Sequence, residues 1–321
     1  MAPSVLVVTS LEDATADLVV SALNERAVPV ARVDPADIGE RLTFAARIDG
    51  SSWSGRLRTD SRDVPIESVT AVYYRRPTPF AARYAALPRL DREFAAAEAR
   101  QGLGGVLADI HGARYVNHPF AVARAEYKPV QLRRFAELGL LIPPTLITND
   151  VRKARAFAAR NAPVIYKPFR GLPSIDGENA GAIWAQRVDA ADFDDSIAVT
   201  AHLFQKEVPK TSDARVTVVG RRVFVQRITA PDAALDWRRG DWAELVHTPI
   251  AVPEPIERAL HRYLADMALV FGCFDFALTG DGERAEDWTI LECNPNGQWG
   301  WLPDADSIAE AFADVLTEKE T

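Results

Sequence analysis

The stretch 291–301, LECNPNGQWGW, places a carboxylate and a carboxamide at the end of a hydrophobic run. Trp288-Thr289-Ile290-Leu291 has the character of a buried strand, along which side chains alternate with period two. Glu292 and Asn294 therefore fall on one side. An anionic oxygen next to a neutral amide oxygen suits a hard divalent cation such as Mg²⁺. The same residues also fit a plainer description, a strand end capped by an Asx-type turn before Pro295. What the rest of the chain sets around them decides between the two.

The elements that must position such a site begin with a β-α-β unit. Residues 4–10 form a strand, 11–26 carry helical spacing through Ala14, Leu18 and Ala22, and 28–34 return as a strand. That order implies a parallel sheet with a helix on its face. Segments 42–48 and 53–57 flank Asp49-Gly50, a short hairpin signal. A strand at 70–74 ends in Arg75-Arg76-Pro77, and an Ala-rich helix follows over about 91–108. Further on, the pattern predicts helices over 126–139 and 151–160, then a short strand, PVIYKP, with a lysine near its end. The polar segment RGLPSIDGENAGAIW follows as a loop. Strands at 203–208, 215–219 and 223–229, a helix over 253–271 and strands at 274–278 and 288–293 complete the chain.

With 321 residues the chain is long enough for two or three domains. Hydrophobic residues make up 48 % and charged residues 26 %, and no run approaches the ~20 apolar residues of a membrane helix. The start, MAPSVLVVTSLED, lacks the basic segment and small-residue cleavage site of a signal peptide. Cys273 and Cys293 lie in apolar strands and form no metal or redox motif, so a reducing cytoplasm is the expected compartment. A net charge of −8 argues against nucleic-acid binding, which needs a basic footprint.

The order strand–lysine–loop, then acidic strands, then ECNPNG resembles the ATP-grasp ligases. Within them the strings YYRRP, NHP, YKP, GCFDF and NPNGQWGW look like the peptide maturases called graspetide or microviridin-type macrocyclases. The resemblance implies an α/β protein with an α+β ATP-grasp core. An N-terminal open α/β sheet domain (1–118) would precede a central subdomain with a phosphate loop (119–201). A C-terminal subdomain with the Mg²⁺ site (202–321) would follow, the two subdomains sandwiching ATP. Asp275 sits mid-strand, where an unpaired buried carboxylate is costly. With Glu292 and Asn294 on the partner strand it completes the implied metal set, the plainer alternative being a salt bridge to an arginine. The resemblance implies further that Lys167 and Lys128 reach ATP phosphates and that Arg215 and Arg238 are the catalytic, phosphate-side arginines. Loop 170–181 would close over the phosphates, although it holds only Gly171, Gly177 and Gly181, with Pro173 stiffening it. Glu207 and Val208 would offer backbone groups to adenine, and Asp213 would accept from the ribose hydroxyls.

The implied reaction activates a substrate carboxylate as an acylphosphate, with ATP and Mg²⁺ as cofactors, and a nucleophile then displaces phosphate. In a graspetide maturase the carboxylate is an Asp or Glu side chain of a precursor peptide, and a Ser/Thr hydroxyl or a Lys amine closes an ester or amide ring. Two other functions share the nucleotide residues: a ligase adding an amino acid to a peptide or protein terminus, like the ribosomal-protein glutamate ligases, and an ATP-binding module without turnover. The partner of a graspetide maturase is a precursor peptide with a leader and an acidic, hydroxyl- or Lys-containing core, with no nucleic acid and no membrane, and the expected assembly is a homodimer. The resemblance implies a leader near the turn Arg221-Arg222 and an apolar stripe of the following helix through Leu260, Leu264 and Ala268, the plainer alternative being an ordinary core helix beside a solvated turn.

Overall fold

The computed structural model describes residues 4–169, 183–231 and 235–318. The chain opens with β1 (Ser4–Val8), α1 (Ala14–Glu25) and β2 (Val30–Val33). Val5 to Val8 are at most 2 % exposed, as an apolar run covered on both faces must be. Asp13 caps α1, its carboxylate accepting from the Thr15 and Ala16 N–H groups. A small antiparallel sheet of β3 (Thr43–Ile48), β4 (Trp53–Arg58) and β5 (Asp63–Pro65) is inserted next, with Ile48 opposite Trp53 across the expected turn. Then come β6 (Val69–Tyr74), α2 (Phe80–Arg83), α3 (Arg89–Ala108) and β7 (Arg114–Val116). The parallel sheet has the order β2-β1-β6-β7. Successive strands thus depart to opposite sides of β1, and a crevice opens at the carboxyl ends of β1 and β6.

Helix α5 (Lys128–Glu137) is the one expected over 126–139, and a helix absent from the sequence reading, α4 (Pro119–Ala125), precedes it. They lead into β8 (Thr145–Thr148), α6 (Val151–Asn161), β9 (Val164–Lys167), β10 (Gln186–Val188) and β11 (His202–Lys206). These strands form an antiparallel sheet ordered β10-β9-β11-β8, so β11 lies past the expected boundary at 201 yet pairs within this second sheet. Val164 and Phe204 pack with Phe157 of α6 on one face. Alternation turns Ile165, Lys167 and Gln205 to the other face.

The third sheet contains β12 (Ser212–Val219), β13 (Arg222–Thr229), β14 (Val246–Pro249), β15 (Phe271–Leu278) and β16 (Trp288–Asn294), ordered β14-β13-β12-β15-β16. Helix α7 (Glu254–Met267) covers one face, and α8 (Ala305–Thr317) follows the last strand. Leu260 and Leu264 are buried against Phe274 and Val216, so the stripe expected to take a leader peptide belongs to the core instead. Ala268 is exposed at the left-handed end of that helix, with φ of 56°. At the hairpin tip Arg222 pairs with Asp314 of α8. No described helix is long and apolar enough to cross a membrane.

Candidate active site

A cleft separates the second and third sheets. Ile165, Lys167 and Gln205 line it from one side, Asp213, Asp275 and Glu292 from the other, and Val208 and Arg238 also face it. The acidic end owes its shape to a bulge. Asp275 is paired with Glu292 and Phe276 with Ile290, which leaves Leu291 as an extra residue in β16. Regular alternation would put Glu292 on the core face with Trp288 and Ile290. The bulge turns it to the cleft beside Asp275, as such irregularities re-aim side chains.

Asn294 bridges the two carboxylates, its Nδ2 donating to Asp275 Oδ2 at 3.0 Å and to Glu292 Oε1 at 3.4 Å. Asp275 also accepts from Arg215 Nη1 at 2.6 Å, so the arginine salt bridge and the convergence of oxygens coexist. Burial works against the Arg215 charge, but Asp275, Cys273 and Glu292 together outweigh it and raise the guanidinium's pKa. Among the described residues no three His, Cys, Asp or Glu side chains cluster to hold a metal. The chain offers two carboxylates and an amide, a hard oxygen set that fits Mg²⁺ when phosphate oxygens and water complete its shell.

Lys128 begins α5 and forms an ion pair with Glu292. Gln131 sets that distance: its Nε2 donates to Cys293 O at 2.8 Å and its Oε1 accepts from Cys293 N at 3.0 Å, clamping α5 on β16. Burial raises the Glu292 pKa less than Lys128 and Lys167 lower it, and the carboxyl ends well below its ordinary range. Lys167 reaches the same end from β9. Burial pushes its ammonium down, and Glu292 opposes that shift.

Arg238 lies on a single helical turn, residues 237–239, and is held by Asp236 through two contacts of 2.8 Å. Its guanidinium stacks 5.6 Å from the Trp184 ring. Arg239 is exposed and does not line the cleft, so the pair is resolved by position. At the opposite end, both Asp213 oxygens lie 2.7 Å from Lys210 Nζ, and burial pushes the Asp213 carboxyl up to about 6. The Glu207 side chain turns to Arg187 at 2.7 Å. Its N–H donates to Pro163 O, and Val208 O accepts from Lys210 N–H. Among the described residues this leaves the Glu207 carbonyl and the Val208 N–H without backbone partners. The expected phosphate loop, 170–181, lies outside the described residues.

Sequence reasoning missed the clamp behind the acidic end. Arg75, fully buried at the end of β6, donates to Asp13 at 2.6 Å, to Gly297 O at 3.1 Å and to Gln298. Arg76 Nε donates to Asn296 O at 2.9 Å. The NPNG segment is thereby fastened across the crevice of the first sheet. A Cβ at Gly297 would lie 2.5 Å from Cys273 Cβ, which no side chain allows. Doubled arginines at a strand end followed by proline are the only signal the sequence carried.

A family model described as the MvdD pre-ATP grasp domain matches residues 4–123. A RiPP-associated ATP-grasp ligase from Chryseobacterium gregarium, solved with ADP and a leader and core peptide, superposes with TM-score 0.87 at 23 % identity, covering 98 % of this chain and 96 % of that one. The macrocyclase MdnC of Microcystis aeruginosa, solved with its precursor peptide MdnA, gives TM-score 0.85 at 25 % identity, over 97 % and 98 % of the two chains. This chain has the fold of the ATP-grasp ligases. The glutathione synthetase of Ralstonia nicotianae is 25 % identical over 192 residues, 57 % of this chain and 52 % of the synthetase, so the match spans about half the relative's length. The expected fold class is the observed one, an N-terminal α/β sheet ahead of two sheets that face each other across the cleft.

Proposed function

We propose that the chain is an ADP-forming peptide macrocyclase, which activates Asp or Glu side chains of a precursor peptide and closes ester or amide rings. The observation that carries this is the convergence of Asp275, Glu292 and Asn294 with Lys128, Lys167, Arg215 and Arg238 at one end of a cleft. Similarity over nearly the full length to peptide-bound ligases points the same way.

A substrate carboxylate oxygen attacks the γ-phosphorus of ATP. The new O–P bond forms as the bond to the β–γ bridging oxygen breaks, giving an acylphosphate and ADP. A hydroxyl or amine then attacks the acyl carbon, loses its proton, and phosphate departs. Lys128, Lys167 and Arg238 offset charge on the phosphates and the developing leaving groups, the dominant contribution in phosphoryl transfer. Arg215, tied to Asp275, holds that carboxylate in place. Asp275, Glu292 and Asn294 would hold Mg²⁺, which supplies Lewis-acid neutralisation of the phosphate oxygens. At the other end, the Glu207 carbonyl and Val208 N–H match an adenine edge, and Asp213 would take the ribose hydroxyls.

The test is incubation with ATP, MgCl₂ and a short Thr/Ser- and Asp/Glu-rich peptide encoded beside this gene. Mass spectrometry should show loss of one water per ring with stoichiometric ADP. Addition of an amino acid to the peptide, or ADP without any change in peptide mass, would refute cyclisation.

A further inference from the structure

Resting on the acyl-transfer reading above, we propose that Gln226, His247 and Asp304 form a subsite for an ammonium group. The ring-closing nucleophile is then a lysine amine and the product an amide. Gln226 lies on β13 opposite Arg215, which in turn lies opposite Asp275 on the next strand. Paired residues share a face, so Gln226 is on the cleft face with the acidic end, one strand (~4.8 Å) beyond Arg215. Ile228, two residues on, takes the same face opposite His247 of β14. Gln226 and His247 are therefore diagonal neighbours, with backbones about 7–8 Å apart and long side chains able to meet. Trp301 packs on the cluster of Ile228, Trp237 and Leu245, its ring 5.5 Å from that of His247. Asp304 follows it three residues later, at the head of α8.

Each of the three side chains holds a buried atom with nothing to bond. Gln226 is 4 % exposed, and its Oε1, His247 Nδ1 and Asp304 Oδ1 have no partner among the described residues. Buried polar atoms are nearly always satisfied, so such a group at a substrate face calls for a partner on the substrate. Asp304 heads α8 yet caps none of its N–H groups, which leaves the carboxylate to serve elsewhere. Burial disfavours charge on His247, with Asp304 opposing, and a neutral ring carrying its hydrogen on Nε2 offers Nδ1 as an acceptor. The patch thus presents three acceptors, one of them anionic, beside an indole ring. A lysine ammonium brings three hydrogens, no lone pair, and a positive charge that Asp304 and the Trp301 ring both attract. A Ser or Thr hydroxyl brings one hydrogen and leaves two acceptors unmatched. In ring closure the C–N bond forms as the C–O bond to phosphate breaks. The two protons that the ammonium gives up leave on phosphate as H₂PO₄⁻, so no co-reactant is needed.

The test uses ATP, MgCl₂ and the peptide encoded beside this gene, made as encoded, with each lysine replaced by methionine, and with each serine and threonine replaced by alanine. Wild type should close rings, read as loss of water by mass spectrometry, as completely in the hydroxyl-free peptide as in the encoded one. It should close none in the lysine-free peptide. The rings should survive mild alkali, which opens esters but not amides. Gln226→Leu and Asp304→Asn should lower ring closure at least roughly tenfold more than they lower the acylphosphate trapped by hydroxylamine, the scale of one hydrogen bond to a charged group. An encoded peptide without lysine, rings in the lysine-free peptide, or alkali-labile rings would overturn the inference even if both variants fail to fold. Equal losses of ring closure and trapped acylphosphate in the folded variants would overturn it too. In each of these cases acylphosphate trapped from wild type leaves the carboxylate-activation reading standing. Its absence, with no ADP released, would overturn that reading and this inference together.

Discussion

Replacing Glu292 by Gln keeps the shape of the site and removes the anion that two lysines share. The Glu292 and Lys128 side chains are only 12 % and 17 % exposed. Lys167, already disfavoured by burial, loses its opposing charge as well. The nearest other carboxylate, Asp275, is engaged by Arg215. Breaking one side of a buried pair costs about 3–5 kcal/mol, because the remaining charge stays without compensation. For a chain of this size that lowers the unfolding midpoint of nucleotide-free protein by roughly 6–10 °C. Adding Lys128→Met removes one stranded ammonium and should restore about half of the loss. Calorimetric scans without Mg²⁺ read the midpoints, and ADP release with peptide reads turnover, expected to fall more than roughly a hundredfold in both variants. Glu292 has a depressed pKa, so its stabilisation is complete above the ordinary carboxylate range and fades as pH falls through its lower native value. The stability difference between wild type and Glu292→Gln should shrink accordingly in acid. A midpoint within about 1 °C of wild type, or a double variant no more stable than the single one, would refute the buried-charge account.

Lys167→Met should weaken ATP binding at least roughly tenfold, and more than Lys128→Met, because Lys128 is already neutralised by Glu292. It should also raise the midpoint of nucleotide-free protein by a few degrees, since a lysine with a lowered native pKa costs stability throughout the neutral range. A lowered midpoint with unchanged ATP affinity would contradict both. Burial pushes the Asp213 carboxyl up to about 6, so below that pH it loses its charge and one of its two accepting oxygens becomes a donor, and ATP affinity should drop as pH falls through it. A pH titration of affinity that is equally steep in Asp213→Asn would place the titrating group elsewhere. Gly297→Ala forces a Cβ against Cys273 and should displace Asn294 and the following segment. Turnover should fall at least roughly tenfold with nucleotide affinity little changed, and wild-type turnover would show the segment to be free to shift.

Local patterns were enough to read the β-α-β opening, the 48–53 hairpin and the 212–229 and 271–294 strands. Those depend on period-two alternation, turn residues and caps within a few positions of one another. The residue types at the acidic end were legible for the same reason: Asp275, Glu292 and Asn294 are polar where their strands are otherwise apolar. Their convergence on one hairpin was expected too, but not the device that achieves it. Simple alternation puts Glu292 with Trp288 and Ile290, and only the bulge at Leu291, imposed by pairing with β15, turns it to the cleft. Burial likewise depends on what packs above a helix. Leu260 and Leu264 form an apolar stripe whether it meets a peptide or a sheet, and β12 and β15 supplied the sheet. Arg238 and Arg239 are the same residue type side by side, and only Asp236 and the cleft wall distinguish them. Arg75 acts through a partner 222 residues away in sequence. Such a contact leaves no local trace, because nothing in the chemistry of one segment records which distant segment folding will bring against it.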